Sequence, residues 1–367
     1  MFNLKHILWT FFKRSLALSF NPSEVIVRCV ISLRKDFVKI SVILFVLSTV
    51  IVLPWSGHEG LTYYIVKDIV PDEMVTITPY NYQENRVYNL SKLVLEDVCG
   101  QDTISAWEGA ILPPNPPPED GKVPAWQILT VYSSEPDWGM DQGIDFPPYV
   151  KLVKNITKMD LNTTAVHRHS KWSILGLEFF EADKSFYYFH DMAKEAFKRG
   201  DRYWGYRFLA RALHYIEDLS QPYHNKPADV GEIIKALWNG SIRTMMENAH
   251  YAYDRFLAYL IYSGDAETIS TIENAKPVFV ESEWHLVQKV RKIALDYFTI
   301  VHEEIKRLFG EKLYKKVGTV SFIDEYRKME ECNQLDTLKK HTLSILSRVS
   351  SLLKGYLISF LFKVGEN

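Results

Sequence analysis

The chain has 367 residues, of which 47% are hydrophobic and 24% charged, and its formal net charge is −2. This length allows one large domain or two small ones with a substantial core. Residues 1–54 carry seven basic and two acidic side chains, so the remainder carries a net −7. An acidic body argues against broad polyanion binding through a basic patch, but it does not exclude a metal site that attracts a single phosphate.

The N-terminal segment predicts export. Residues 40–54 read ISVILFVLSTVIVLP and follow the basic stretch Arg34-Lys35-Asp36-Phe37-Val38-Lys39. A basic flank before a short apolar run is typical of a signal peptide or signal anchor, and a buried core element is the alternative. The flank should stay in the cytoplasm, which places the chain after Trp55 outside, either extracellular or anchored to the membrane through this segment. Val52-Leu53-Pro54 offers no small residue for cleavage, so a retained anchor stays open beside secretion.

The first part of the body predicts helices separated by an exposed loop. Residues 55–68 suit a helix, and another is expected near Leu90–Val98. Six prolines between residues 109 and 124 predict an extended loop. Residues 125–133 should begin a further helix.

Helical spacing dominates the rest of the chain. Apolar residues recur at helical intervals over 179–199, and Asp201 or a neighbour can cap the helix that follows. One or two helices are expected over 229–263 and one over 281–309. Few stretches alternate as strands do, so the predicted class is all-α with many helices.

The apolar C-terminal stretch, residues 342–364, is interrupted by Arg348 and Lys354. It predicts an amphipathic helix packed on the bundle, with a membrane-surface helix as the alternative. Cys29, Cys99 and Cys332 are the three cysteines. If the body is exported, Cys99 and Cys332 could form a disulfide, and otherwise they are two separate thiols.

Histidine and aspartate spacing near the middle of the chain predicts a metal site. His214 and Asp218 are four residues apart, so they share one face of a helix, and His224 follows just after Pro222. His250 and Asp254 repeat the same spacing on the next predicted helix. Imidazole nitrogen and carboxylate oxygen are ligands of zinc, and two such pairs indicate more than one ion.

Other histidines and acids divide into candidates and surface residues. His58 follows the apolar segment, Asp137 lies after a turn, and His169 lies in a loop, so these three can complete the site. Glu217 points to a different helix face from its neighbours and receives no role. The charged context of the remaining helical histidines predicts surface positions for His285, His302 and His341.

The segment from Arg211 to His224, Arg-Ala-Leu-His-Tyr-Ile-Glu-Asp-Leu-Ser-Gln-Pro-Tyr-His, resembles the signature of the bacterial zinc-dependent phospholipase C family, which shares its fold with the P1/S1 nucleases. The His250/Asp254 pair matches the one that follows in that family, and Trp55-Ser-Gly-His58 resembles the start of its mature chain. The resemblance covers about residues 55–260. Residues 1–38 and 265–367 lie outside it. We expect a helical domain over 55–310 after the 1–54 segment, with 311–367 as a C-terminal helical extension.

The resemblance implies up to three zinc ions. The first would be held by Asp137, His169, His214 and Asp218, and the second by His224, His250 and Asp254. The third would be held by His58, by Asp218 as a bridge and by the terminal amine and carbonyl of Trp55. Asp141 is the alternative to Asp137, and His167 is the alternative to His169.

The implied activity is zinc-dependent phosphodiester hydrolysis by a zinc-activated water, with Asp137 helping to remove the proton. Phospholipid head groups are the expected substrate, as for a phospholipase C. A single-strand nuclease of the P1/S1 kind with the same zinc site is the first alternative. A membrane-anchored, non-catalytic helical protein with structural zinc is the second, although structural zinc sites are usually rich in cysteine.

Overall fold

The computed structural model describes residues 57–71, 73–82, 95–104, 106–138, 168–174, 176–236 and 238–365. The predicted signal or anchor segment, Trp55, and the alternative ligands Asp141 and His167 lie outside these residues. The described helices are α1 (His58–Val66), α2 (Ala125–Tyr132), α3 (Ala182–Lys198), α4 (Arg202–Asp218), α5 (Pro222–Asn225), α6 (Val230–Ala236), α7 (Gly240–Tyr262), α8 (Ala266–Glu273), α9 (Glu283–Phe309), α10 (Phe322–Glu331) and α11 (Asp336–Gly365).

Among the residues that the structure describes, strands are few and short, which is consistent with the predicted all-α class. Met74–Thr76 (β1) pairs antiparallel with Lys122–Pro124 (β2), and Trp172–Ile174 (β3) pairs antiparallel with Leu177–Phe179 (β4). Two turns of 3₁₀ helix, at Glu135–Asp137 and Gly310–Tyr314, complete the described elements.

Most predicted helices are confirmed to within a few residues. One prediction is wrong over the few residues of it that the structure describes. The helix expected near Leu90–Val98 overlaps described residues only at 95–98, and these are not helical. The proline-rich loop is confirmed as irregular up to Pro118, after which β2 begins at Lys122. Asn115 fixes this loop to α2, because its side-chain oxygen accepts a hydrogen bond from Gln127 at 2.6 Å.

The helix α4 lies at the centre of the fold. Every residue from Tyr203 to Asp218 is buried, so its polar side chains must find partners inside the protein. Its start is fixed as predicted, because the Asp201 side chain accepts a hydrogen bond from the Trp204 amide. Gly205 lets α3 approach closely, since a Cβ at this position would lie 2.8 Å from the Phe197 ring.

The C-terminal helix α11 packs against α9 and belongs to the same buried apolar cluster as the rest of the bundle. Within the described residues, α11 is the one helix with the length and composition of a membrane span. An 18-residue window of this helix has a mean hydropathy of 1.4, and 61% of the window is buried inside the protein. The prediction of a helix packed on the bundle is confirmed. Arg348 is exposed, whereas Lys354 is buried and donates to the Glu273 carbonyl at the end of α8.

Cys99 and Cys332 are both free thiols, so no disulfide joins them. Cys99 is buried, with its Sγ atom 4.0 Å from the Tyr132 hydroxyl, while Cys332 is exposed at the end of α10. Burial raises the pKa of the Cys99 thiol, which keeps it protonated.

Candidate metal centre

The side chains that could bind a metal converge around α4, which is enclosed on all sides. His214 and Asp218 lie one turn apart near the end of α4 and are fully buried. The chain then passes into the short helix α5, where Gln221 caps the first turn and Pro222 occupies its first position. This turn brings His224 back beside Asp218, with the His224 Nδ1 atom 3.1 Å from the Asp218 Oδ1 atom.

The 3₁₀ turn that carries Asp137 is held against α4 by a buried ion network. The Glu135 carboxylate accepts hydrogen bonds from Arg207 at 2.5 Å and from Arg211 at 2.7 Å, and all three side chains are buried. Burial would raise the pKa of Glu135, but Arg211 and Arg207 outweigh it and lower that pKa. Since Asp137 follows Glu135 by two residues, the network fixes where its carboxylate lies.

Four ligand atoms meet in what we call the Asp137 group: Asp137, His169, His214 and Asp218. The His214 Nε2 atom is 2.8 Å from His169 Nδ1 and 3.1 Å from Asp218 Oδ2. His169 Nδ1 is 2.8 Å from the same Asp218 oxygen. Asp137 Oδ1 lies 3.6 Å from each of the two imidazole nitrogens.

These distances fit the coordination shell of one small cation. Zinc–ligand bonds of about 2.0–2.1 Å in a tetrahedron separate neighbouring ligand atoms by about 3.3–3.4 Å. The separations between the two imidazoles and from each carboxylate to each imidazole, from 2.8 to 3.6 Å, bracket that value. His214 is also oriented for the role, because its Nδ1 atom lies 2.7 Å from the Ser133 carbonyl oxygen, which fixes the proton there and turns Nε2 to the group.

A second set, the Asp254 group, consists of His224, His250 and Asp254. The His224 Nδ1 atom donates to the His169 carbonyl oxygen at 2.8 Å, so its Nε2 atom is the one left to bind. His250 Nε2 and Asp254 Oδ2 lie 3.1 Å apart without the alignment of a hydrogen bond. These three atoms are buried and have no hydrogen-bond partner within the described residues, which a bound cation would provide.

His58 approaches the centre from α1. Its Nε2 atom lies 3.5 Å from the Asp218 Oδ1 atom, and its ring centre is 3.9 Å from that of His214. Together, His58, His214 and Asp218 can hold an ion. Asp218 therefore turns one oxygen to the Asp137 group and the other to His58 and His224, in the position of a bridging ligand.

The electrostatics of the buried centre suit a metal. Burial lowers the pKa of His58 and of His214, which keeps both imidazoles neutral and able to bind a cation. Burial opposes ionisation of Asp218, but the imidazoles of His214, His224 and His169 outweigh it and hold the pKa of this carboxyl well below its usual range. Burial would lower the pKa of His224, but the Asp218 carboxylate outweighs it and raises that pKa, so this imidazole has to release its proton when a cation binds.

Of the residues predicted for the site, the structure brings together all that it describes; Trp55 lies outside the described residues. Asp137 and His169, which had alternatives, both reach the cluster. The residues brought together are His58, Asp137, His169, His214, Asp218, His224, His250 and Asp254.

Glu217 received no role from the sequence, and the structure places it in contact with His58. Its Oε2 atom lies 2.7 Å from His58 Nδ1, and its Oε1 atom accepts a hydrogen bond from Thr62 at 2.7 Å. As expected, Glu217 and Asp218 lie on different faces of α4. The face that carries Glu217 packs on α1, however, and therefore lies beside the site. Gln221 was also missed: it donates to Asp254 Oδ1 at 2.6 Å and so fixes that carboxylate.

The prediction of a surface position for His302 was also wrong. His302 is fully buried, with Nδ1 2.9 Å from the Tyr223 hydroxyl and Nε2 2.7 Å from Glu232. A signal was present in the sequence, since Phe298 and Ile305 flank His302 at helical spacing on the apolar face of α9. His285, by contrast, is exposed as expected.

Comparison with known proteins finds no matching family model and no similar curated protein. The chemistry of the centre is therefore argued from this chain's own residues.

Proposed function

We propose that this protein is a zinc-dependent phosphodiester hydrolase of the phospholipase C kind, with up to three zinc ions. The observation that carries the proposal is that the Asp137 group and the Asp254 group adjoin, since Asp218 of the first lies 3.1 Å from the His224 ring of the second. Adjacent ligand sets without cysteine are typical of multi-zinc hydrolases, whereas structural zinc sites are closed and rich in cysteine.

The zinc ions would lower the pKa of a water molecule and neutralise charge that builds up on the phosphate. The protein's part is to hold the ligands fixed before substrate arrives. Hydrogen bonds to the Ser133 and His169 carbonyls fix His214 and His224, and Gln221 fixes Asp254. Asp137 is the most exposed carboxylate of the centre, at 9% of its side chain, so it is the group placed to take a proton from an incoming water.

Phospholipid head groups are the substrate we favour. The basic, apolar N-terminal segment is predicted to hold the chain at a membrane. The rest of the chain has a net charge of −7, which would repel a long polyanion such as nucleic acid.

The test is zinc content and hydrolysis in the wild-type chain, in His214→Ala and in the matched control His285→Ala. His214→Ala should lower zinc content and reduce phospholipid hydrolysis by at least about 100-fold, because its nitrogen is part of the Asp137 group. The exposed His285 should be replaceable without effect on either. Unchanged zinc and activity in His214→Ala would refute the proposal, and equal or greater hydrolysis of single-stranded DNA by wild type would replace the lipid substrate with nucleic acid.

A further inference from the structure

The inner ring nitrogens of three metal-facing histidines each have a fixed partner. For His214 and His224 the partner is a backbone carbonyl oxygen, of Ser133 at 2.7 Å and of His169 at 2.8 Å. For His58 it is the side chain of Glu217, at 2.7 Å. Of these contacts, the one between His58 and Glu217 is made by a carboxylate that is not itself among the candidate ligands, whereas the carboxylate near His224 Nδ1 is Asp218, at 3.1 Å.

We infer that Glu217 is a positioning residue, which holds His58 so that its Nε2 atom faces Asp218 and can bind a metal ion. The inference rests on the zinc site proposed above and adds a residue to it. A ligating histidine commonly donates its second N–H to a carboxylate, which fixes the ring and makes the metal-facing nitrogen a better ligand.

The geometry of α4 explains how two adjacent acids can have different tasks. Consecutive side chains on a helix point about 100° apart. Asp218 therefore faces His214 and His169, while Glu217 faces α1. Thr62, one turn after His58 on α1, donates to the other Glu217 oxygen and fixes the carboxylate from the far side.

Burial makes the contact directional. His58 and Glu217 are both fully buried, so water does not compete for either partner. If the acceptor were removed, the His58 ring could exchange its two nitrogens, and the set formed by His58, His214 and Asp218 would lose its fixed ligand. The Asp254 group would keep its own supports, because the partners of His224 and Asp254 do not include Glu217.

The experiment measures zinc affinity site by site, by competition with a chelator, in the full chain. Glu217→Met, which keeps the bulk and removes the acceptor, should weaken one class of zinc by about 10–100-fold and leave the others unchanged. Glu217→Gln keeps an acceptor oxygen and should restore most of that affinity. Glu59→Met is the matched control. Glu59 is a buried acid on α1, the helix that carries His58, but its carboxylate contacts the Tyr262 hydroxyl at 3.3 Å and not the His58 ring.

A double-mutant cycle with His58→Ala separates positioning from general stability. If Glu217 acts through His58, Glu217→Met should have no further effect on zinc in the His58→Ala chain. Additive losses, or wild-type affinity in both Glu217 variants, would overturn the inference. If Glu217→Met does not fold, Glu217→Ala, which also removes the acceptor, replaces it both alone and in the cycle and decides in the same way. Zinc binding without phospholipid hydrolysis would refute the proposed function but leave this inference standing.

Discussion

Two clusters in this protein have the same kinds of side chain but differ in burial and in the charges around them. The Asp254 group is described above; what we call the Glu232 cluster consists of Asp229, Glu232 and His302. In each, the candidate ligand atoms lie within 4.8 Å of one another. By that distance alone, both could hold a metal ion.

The difference lies in what surrounds them. In the Glu232 cluster, Lys306 pairs with Glu232 at 2.5 Å and Lys226 pairs with Asp229 at 2.9 Å. Both ring nitrogens of His302 have partners, in Tyr223 and Glu232. The cluster is already neutralised and hydrogen-bonded, so a cation would have to displace two lysines and break two hydrogen bonds to enter.

In the Asp254 group, the carboxylate lacks a lysine or arginine partner and three polar atoms lack hydrogen bonds within the described residues. Within the described residues no lysine or arginine forms an ion pair with Asp254, and His224 Nε2, His250 Nε2 and Asp254 Oδ2 make no hydrogen bond. A buried carboxylate without a positive partner is costly. The comparison teaches that charge balance and unsatisfied atoms, and not proximity of histidine and acid, separate a metal site from a structural network.

The largest expected effect is that of removing the metal. Zinc that binds only the folded chain stabilises it by about 4 kcal/mol per ion at a free concentration about 1,000 times its dissociation constant. Chelation should therefore lower the thermal midpoint by about 10 °C or more, and the midpoint should recover when zinc is restored. Scanning calorimetry with and without chelator measures this. An unchanged midpoint in a sample shown to lose its metal would place the metal outside the buried centre.

A second, smaller effect should come from the Glu232 cluster without any change in zinc. His302→Ala leaves the Tyr223 hydroxyl and one Glu232 oxygen without their partner. The free energy of unfolding should fall by about 2–3 kcal/mol. Urea unfolding of the chelated protein measures the loss of stability, and the zinc content of the unchelated protein shows whether the metal site is affected. His341→Ala serves as the control, because His341 is a half-buried histidine on α11. Loss of zinc in His302→Ala would mean that the two clusters are not separate.

The helices were predictable because their apolar residues recur at helical spacing over long stretches. The sequence predicted the starts of α4 and α9 to within a few residues, because Asp201 and the change of composition near residue 281 mark where these helices begin. The prediction failed at residues 95–98, a short stretch where periodicity has little power. The short strands also carry no clear alternation, and their pairing joins residues far apart in the chain, as Val75 joins Val123.

For the site, spacing within one helix was enough to predict His214 with Asp218 and His250 with Asp254. Contacts between helices were not predictable from spacing, because they depend on how the helices pack. His58 and Glu217 meet although 159 residues separate them in the chain. His302 was assigned to the surface because charged neighbours dominate its stretch of sequence, whereas the apolar face on which it lies decides its burial.

The smallest expected effect tests the electrostatics of the Glu232 cluster directly. Burial would raise the pKa of Glu232, but hydrogen bonds from His302 and Lys306 outweigh it and lower that pKa from 4.5 to about 2. A lowered folded-state pKa stabilises the fold above the unfolded value, and the contribution is lost as the pH falls from 4.5 through 2. Because Glu232 is partly exposed, solvent screening reduces its contribution to about 1–2 kcal/mol at pH 7.

Glu232→Gln should therefore unfold more easily than wild type at pH 7, and the gap should shrink by more than half at pH 3. Urea unfolding of the chelated proteins at the two pH values measures it, so that release of zinc in acid affects neither curve. A gap of the same size at both pH values would mean that Glu232 contributes through packing and not through charge. The Glu232 cluster would then no longer be the charge-balanced counterpart of the Asp254 group.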